Sequence, residues 1–340
     1  MLPYLLLSPL VVFIGALSFV PTADTAVEAF FRVMPLDPPT RFAGLGNFRA
    51  LFATSAVTTA WVNTAVYVAV GVVASVVGGT AIAVALRQRF RLRGVVLALV
   101  ILPWALPAVV EAVIWNWIYN PTFGVMNSAL HSAHLIGGYH VWLGLERWLT
   151  IVLIEIVQVW QMTPLSALVI LAALQSIPPD LYEAARVDGA GPVASFRRIS
   201  LPLIRPALAV CTVEALVLSL NIFDQVYILN GIAPLGSSVM LQTYVTTFED
   251  LNFGGGYALS LLMTLATAAV SMAALARLYR RAEAAGGRRP GLVGGPRGRG
   301  RRRRPGRRPG RCPAGRPGCW GASSRSPSSC SGRCSRSTGR

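Results

Sequence analysis

The sequence predicts an all-α membrane protein: a bundle of six transmembrane helices followed by a disordered, arginine-rich tail. Three observations carry that expectation. Apolar runs of about 19 residues or more, long enough to cross a bilayer, recur through the first 280 residues. Of the 340 residues, 54% are hydrophobic and the mean hydropathy is +0.55, far above a soluble profile. Arginine is also unevenly shared between alternate loops, as it is in multi-span proteins.

The net charge of +17 misleads if it is averaged over the chain. All 31 basic residues are arginine; fifteen precede Gly287 and sixteen follow it, while all fourteen acids precede it. The bundle is therefore nearly neutral, which excludes a continuous basic face for nucleic acid. The absence of lysine excludes a Walker P-loop, whose lysine holds the terminal phosphates, so the chain is not itself a P-loop ATPase. Five cysteines are present, and Cys312, Cys319, Cys330 and Cys334 in the tail contain no C-x₂-C pair. Neither a zinc site nor a disulfide framework is implied.

Taken in order, residues 2–20 form the first apolar run. A signal peptide would need a positively charged start, which is missing, so an uncleaved span is expected. Because that span begins at once, the natural start is expected upstream. Residues 21–57 are turn-rich, and residues 58–86 are the second span, with Ala74, Gly78 and Gly79 offering a small-residue face for close packing. The third, residues 94–118, is expected to kink at Leu102-Pro103-Trp104-Ala105-Leu106-Pro107. Trp104, Trp115, Trp117 and Tyr119 fit an interfacial aromatic belt. His131 and His134 make an H-x₂-H pair in the loop of residues 120–147, but no acid or cysteine beside them completes a metal site. Residues 148–174, 206–229 and 256–279 complete the spans. Residues 230–255, between the last two spans, contain no basic residue and read as an outer loop.

Eleven arginines fall in one alternate set of loops (around residues 87–93, 186–205 and 277–281) and four in the other. The positive-inside rule puts the richer set, and with it both termini, in the cytoplasm. From residue 286 the composition turns to Arg, Gly, Pro, Ser and Cys, which cannot bury a core. Two readings stand for it: a tail that binds nucleic acid or anionic lipid, or out-of-frame translation of GC-rich DNA.

The loop of residues 177–205 interrupts the apolar pattern with internal design. Ile177-Pro178-Pro179-Asp180 is a helix start, Glu183-Ala184-Ala185-Arg186 is strong helix former, and Asp188-Gly189-Ala190-Gly191-Pro192 is a stop and turn. A second short helix follows and ends before Pro202. Polar residues also lie within spans: Glu111, Glu155, Gln158, Gln161, Glu214, Ser219, Asn221 and Asp224. Such groups are expensive in lipid and point either to a wet path or to hydrogen bonds between helices. Asn221 and Asp224, three residues apart, are expected on one helical face opposite Gln158 and Gln161. Amides, a hydroxyl, an acid and the indole of Trp160 would suit a carbohydrate.

Glu183-Ala184-Ala185, Gly189, Ile199 and Leu201-Pro202, at these spacings, resemble the EAA loop of ABC-importer permease subunits. Gly44-Leu45-Gly46-Asn47-Phe48 is similar to the GL-x-NF element before the second span of sugar-type members. Trp160 to Pro164 resembles their W-x-x-x-P, and Phe223-Asp224 with Gly231 and Pro234 resembles FD…GGP, here Gly231-Ile232-Ala233-Pro234. The resemblance covers residues 1–281. It implies a MetI-like permease of a binding-protein-dependent importer in a bacterial or archaeal cytoplasmic membrane. It also implies a second permease, two ATPase subunits that carry the ATP and magnesium, and an extracytoplasmic solute-binding protein; no cofactor sits on this chain. Glu183, Ala184, Ala185, Asp188, Gly189, Ile199, Leu201 and Pro202 would then dock on the ATPase. Gln158, Gln161, Met162, Leu165 and Ser219 would meet a sugar or a glycerol-phosphate-like solute. The rival readings are a permease for another solute class and an ion-coupled carrier using Glu111, Glu155 or Asp224 as proton sites.

Overall fold

A computed structural model describes residues 2–35, 40–88 and 90–286. The residues assigned to the tail, 287–340, lie outside the described residues, as does Arg89. Fourteen α-helical segments, two π-turns and one two-residue hairpin make up the described chain. Among the described residues four helices are long and apolar enough to cross a membrane, and two bent pairs, each counted as one span, bring the number to as many as six.

The first helix, α1 (Leu2–Glu28), runs eight residues beyond the expected end. A short antiparallel hairpin pairs β1 (Phe31–Arg32) with β2 (Arg41–Phe42), Phe31 opposite Phe42. Next comes α2 (Gly46–Ala53). Asn47 explains the glycine-rich stretch before the second span: its Nδ2 donates to the carbonyls of Ala29 and Phe31, both at 2.9 Å, and ties α2 back to the end of α1.

The second span, α3 (Ser55–Arg87), packs most extensively against α7 (Arg147–Gln175). The packed face is a four-residue ladder: Asn63, Tyr67, Gly71, Ser75, Gly79 and Ala83 are all buried. The expected small-residue face was one step off. Gly79 belongs to it, whereas Ala74 and Gly78 flank it half-buried. At Gly79 a β-carbon would lie 2.7 Å from Ser166 Cβ and 2.9 Å from the Ala167 nitrogen, so backbone approaches backbone there.

The third span is not one kinked helix. It divides into α4 (Arg93–Ala105) and α5 (Ala108–Tyr119), with axes 100° apart. Pro107 ends the first helix because the residue before a proline avoids the helical region: Leu106 is extended at ψ 140°. Each half is about 20 Å long, too short to cross alone. The aromatic belt is also corrected. Trp104 and Trp117 are exposed, but Tyr119 is buried with its hydroxyl donating to the Leu153 carbonyl, and Trp115 packs edge-on against Trp160. The third span leads into a short helix, α6 (Val125–Ser132), where Asn127 is buried and its amide binds Trp142 and His140.

The loop of residues 177–205 resolves into α8 (Asp180–Val187), α9 (Pro192–Ser195), a π-turn over Phe196–Ser200, and α10 (Leu201–Leu203). The fifth span is likewise shorter than expected. It runs as α11 (Arg205–Leu220), breaks at residues 221–223, and resumes as α12 (Asp224–Asn230). Beyond it, the stretch expected as an outer loop is partly core. It holds α13 (Val239–Tyr244) and a π-turn over Val245–Glu249, and Ser238, Val239 and Leu241 are fully buried. The second span holds it there: Asn63 Nδ2 donates to the carbonyls of Leu235 and Ser237, Tyr67 to that of Gly236, and the Val239 N–H donates to Thr64. Last is α14 (Phe253–Gly286), which packs against α11, α13 and α1.

Candidate functional site

Two sites emerge, one in the middle of the bundle and one at its arginine-rich end. The central site is built where α7 meets α11 and α12. From α7, Gln158 donates through Nε2 to the Leu218 carbonyl at 3.4 Å, and its Oε1 is buried without a partner among the described residues. One turn on, the sulfur of buried Met162 lies 4.0 Å from the hydroxyl of Ser219, which is fully buried on α11. These three expected residues do come together.

Gln161 joins a network that the sequence did not disclose. Gln225 of α12 donates through Nε2 to Glu111 Oε1 at 2.7 Å and to Gln161 Oε1 at 3.1 Å. Three helices, α5, α7 and α12, are thus tied by one amide. Bonds of this kind matter most where no water competes for the partners. Glu111 Oε2 and both oxygens of Glu155 remain buried without partners among the described residues. Gly71 makes room for Glu155: a β-carbon there would sit 2.6 Å from Glu155 Oε1 and 2.7 Å from Ser219 Oγ. The four-residue spacing from Asn63 to Ala83 was the available signal for Gly71. None marked Gln225, whose importance depends on the break before α12.

Asn221 and Asp224 do not share a helical face, contrary to expectation. The helix ends at Leu220, and Phe223 has φ −134° and ψ −60°. Asn221 is exposed and turns its amide back to the Val217 carbonyl at 2.8 Å. Asp224 starts the new helix, half-buried. The break is held from outside, because Ser238 Oγ donates to the Ile222 carbonyl at 2.7 Å. Leu165 is half-buried, with no polar group of its own to place.

The second site is the hairpin between α8 and α9. The C-terminus of α8 closes as a Schellman motif: the Ala190 N–H donates to Ala185 and the Gly189 N–H to Arg186, with Gly189 at φ 77°. Pro192 then opens α9 at its first position. The hairpin is seated on the bundle by Tyr182, whose hydroxyl shares a 2.8 Å hydrogen bond with Ser200, and whose ring lies under the Arg87 guanidinium at 4.0 Å. Ile199 packs with Tyr182 on a core of Leu86, Leu174, Ile177 and Ile204. Glu183, Ala184, Asp188 and Gly189 are exposed, Val187 is 88% exposed, and Ala185, Leu201 and Pro202 are half-buried. The seated face is therefore aromatic and aliphatic, while the outer face presents an acid pair, small residues and one bare valine.

Residues 75–283 match the family described as binding-protein-dependent transport system inner membrane component. The chain is 36% identical over 152 residues to the trehalose/maltose transport system permease protein MalF of Thermococcus litoralis, a match covering 44% of this chain and 50% of that protein. It is 29% identical over 266 residues to the sulfoquinovosyl glycerol transport system permease protein SmoG of Agrobacterium fabrum, over 77% of this chain and 85% of the other. Its fold matches a chain of the bacterial alginate ABC transporter, solved in complex with an alginate pentasaccharide-bound periplasmic protein. That match has a TM-score of 0.71 at 22% identity and covers 83% of this chain and 95% of that one. With bent apolar helices, a polar seam between them and a structured hairpin at one end, and with the family match spanning most of the bundle, the chain belongs to the inner-membrane components of binding-protein-dependent transport systems.

Proposed function

We propose that this multi-pass membrane protein forms the translocation path for a sugar or sugar-like solute in an ABC importer. Its coupling to ATPase subunits would run through the hairpin of residues 180–203. The family is one of transport subunits, so ATP and magnesium belong on partner chains rather than here. The observation that carries the reading is the seated hairpin: its inner face is fixed by Tyr182, Ile199 and Ser200, and its outer face leaves Glu183, Val187, Asp188 and Gly189 free for a cytoplasmic partner. A rigid element with one unpartnered face suits the transmission of a domain closure to the spans that it continues into. The Arg asymmetry supports a cytoplasmic position for this end and for both termini, in a bacterial or archaeal cell. The second permease, two ATPase subunits and an extracytoplasmic solute-binding protein complete the assembly.

The solute class is inferred from the relatives and from the seam of Gln158, Gln161, Met162 and Ser219, which can meet hydroxyls with amides and one hydroxyl. The experiment is reconstitution of the chain with its cognate partners in vesicles. Uptake of a trehalose- or maltose-type sugar should require ATP and binding protein, and should persist in the presence of an uncoupler. ATP-independent uptake abolished by the uncoupler would refute the reading. ATP-dependent uptake of a non-sugar solute instead would keep the importer and replace the substrate.

A further inference from the structure

Beneath the hairpin lies a cavity of about 460 Å³ between α8, α9 and the end of α3. We propose that it is a binding site for a phosphate group, held by Arg87 and Arg186. Binding there can be read without transport.

Arg87 is the last residue of α3, and Arg186 lies one turn after Tyr182 on α8. Both line the cavity, with Gln88 and Ser195 beside them. Among the described residues neither guanidinium has an ion-pair partner. Arg87 is instead stacked on Tyr182, and its guanidinium makes no hydrogen bond among the described residues. The carboxylates nearest in sequence, Asp180, Glu183 and Asp188, do not line the cavity. Among the described residues its charge is thus two guanidinium groups and no acid, the arrangement that phosphate oxygens take up through paired N–H donors.

The other wall is apolar: Val84, Leu174 and Phe196. Val84 is 37% exposed on the outer face of α3 just inside the end of the span. A headgroup phosphate could rest on the arginines while its glycerol and first methylenes lie along that wall. A soluble phosphorylated compound offers the same chemistry without the tail. In either case the ligand would bridge the span to the hairpin and stiffen their junction. That consequence rests on the proposed coupling role, whereas the binding does not.

The test uses the purified full chain, with the tail present in every variant so that its arginines contribute equally. Retention of phosphatidylglycerol would be read by native mass spectrometry, and protection by inorganic phosphate by thermal melting in phosphatidylcholine vesicles. The paired variant Arg87→Gln with Arg186→Gln should weaken binding about thirtyfold or more, because both lost groups donate charge-assisted hydrogen bonds directly to the phosphate. Arg197→Gln with Arg198→Gln removes the same charge from exposed positions outside the cavity and should change it little. Should the first pair not fold, Arg186→Gln alone, on an exposed helix face, carries the comparison at about fivefold, the loss of one such hydrogen bond. Arginine-dependent retention of phosphatidylglycerol without a phosphate effect identifies a lipid, and saturable phosphate protection identifies a soluble ligand; either supports the site. Equal losses in both pairs, or no arginine-dependent binding of either probe, overturn it, and leave Arg87 and Arg186 for a carboxylate of a partner protein.

Discussion

Gly71 on α3 faces Glu155 on α7 so closely that a β-carbon on the glycine would lie 2.6 Å from the carboxylate oxygen, with the Ser219 hydroxyl of α11 at 2.7 Å. Two turns further along the same face, Gly79 would meet Ser166 and the backbone nitrogen of Ala167. The two glycines solve different problems. Gly71 houses polar side chains, and Gly79 lets two backbones touch.

The difference predicts an order of stability. At Gly71 the obstacles are side-chain ends that can rotate away, although Glu155 is only 4% exposed and has little room. At Gly79 the obstacle is backbone, and α3 must move bodily from α7. Gly79→Ala should therefore destabilise by about 1–3 kcal/mol and Gly71→Ala by less. Thermal melting in detergent measures both. Combining Gly71→Ala with Glu155→Ala should recover part of the Gly71 loss, because the obstacle is removed. Strictly additive losses would mean that the two residues do not meet.

Gly189 makes a cleaner case, since nothing lies within 4 Å of its would-be β-carbon and only its φ of 77° restricts it. Gly189→Val should strain the Schellman turn by about 1 kcal/mol or more while insertion in the membrane stays normal. Uptake and co-purification of the ATPase should both fall. Asn tolerates this region better than Val, so Gly189→Asn should retain more of each. If the valine variant transports at the full rate, the hairpin is not the coupling element.

The hairpin was legible because its signals are local. Pro178, Pro179 and Asp180 start a helix and Gly189 stops it, all within one short stretch of chain. The break between α11 and α12 was not, because Asn221-Ile222-Phe223 holds neither glycine nor proline and its stabilising donor is Ser238, sixteen positions away. The same distance hid the buried stretch around Gly236, whose partners Asn63, Thr64 and Tyr67 lie some 170 residues earlier. Periodicity located the apolar segments, yet the 100° bend of the third depends on how its two short halves pack, which Pro107 permits but does not dictate.

Topology follows from the arginine distribution and can be tested at exposed sites. Val187 (88% exposed) and Leu135 (71% exposed) should lie on opposite sides of the membrane. In a cysteine-free background, an impermeant maleimide added to right-side-out vesicles should label Leu135→Cys and spare Val187→Cys until the vesicles are opened. Gly236 is unsuitable as a reporter because it is buried against α3. Labelling of Val187→Cys in sealed vesicles would reverse the orientation.

The proposed solute path through the central seam can be told apart from helix packing by single substitutions. Gln161 accepts from Gln225, which also donates to Glu111, so removing Gln225 strands two acceptors at once. Gln225→Ala should therefore lower both stability and uptake, since a buried group without its partner costs about 1–3 kcal/mol. Gln161→Ala removes an acceptor but leaves Gln225 its stronger bond to Glu111, so the fold should tolerate it. Losing one hydrogen bond to a passing solute corresponds to about 1–2 kcal/mol, or roughly 5–30-fold in uptake. Asn221 is exposed and occupied with the Val217 carbonyl, and Asn221→Ala should accordingly cost less uptake than Gln161→Ala. Sugar affinity of the isolated binding protein serves as the control and should be unchanged throughout, as should part of the ATP hydrolysis of the assembled transporter, because the hairpin is untouched. Full uptake by the Gln161 variant would remove the seam from the path. Loss of assembly in that variant, matching Gln225→Ala, would make it a packing contact between α7 and α12.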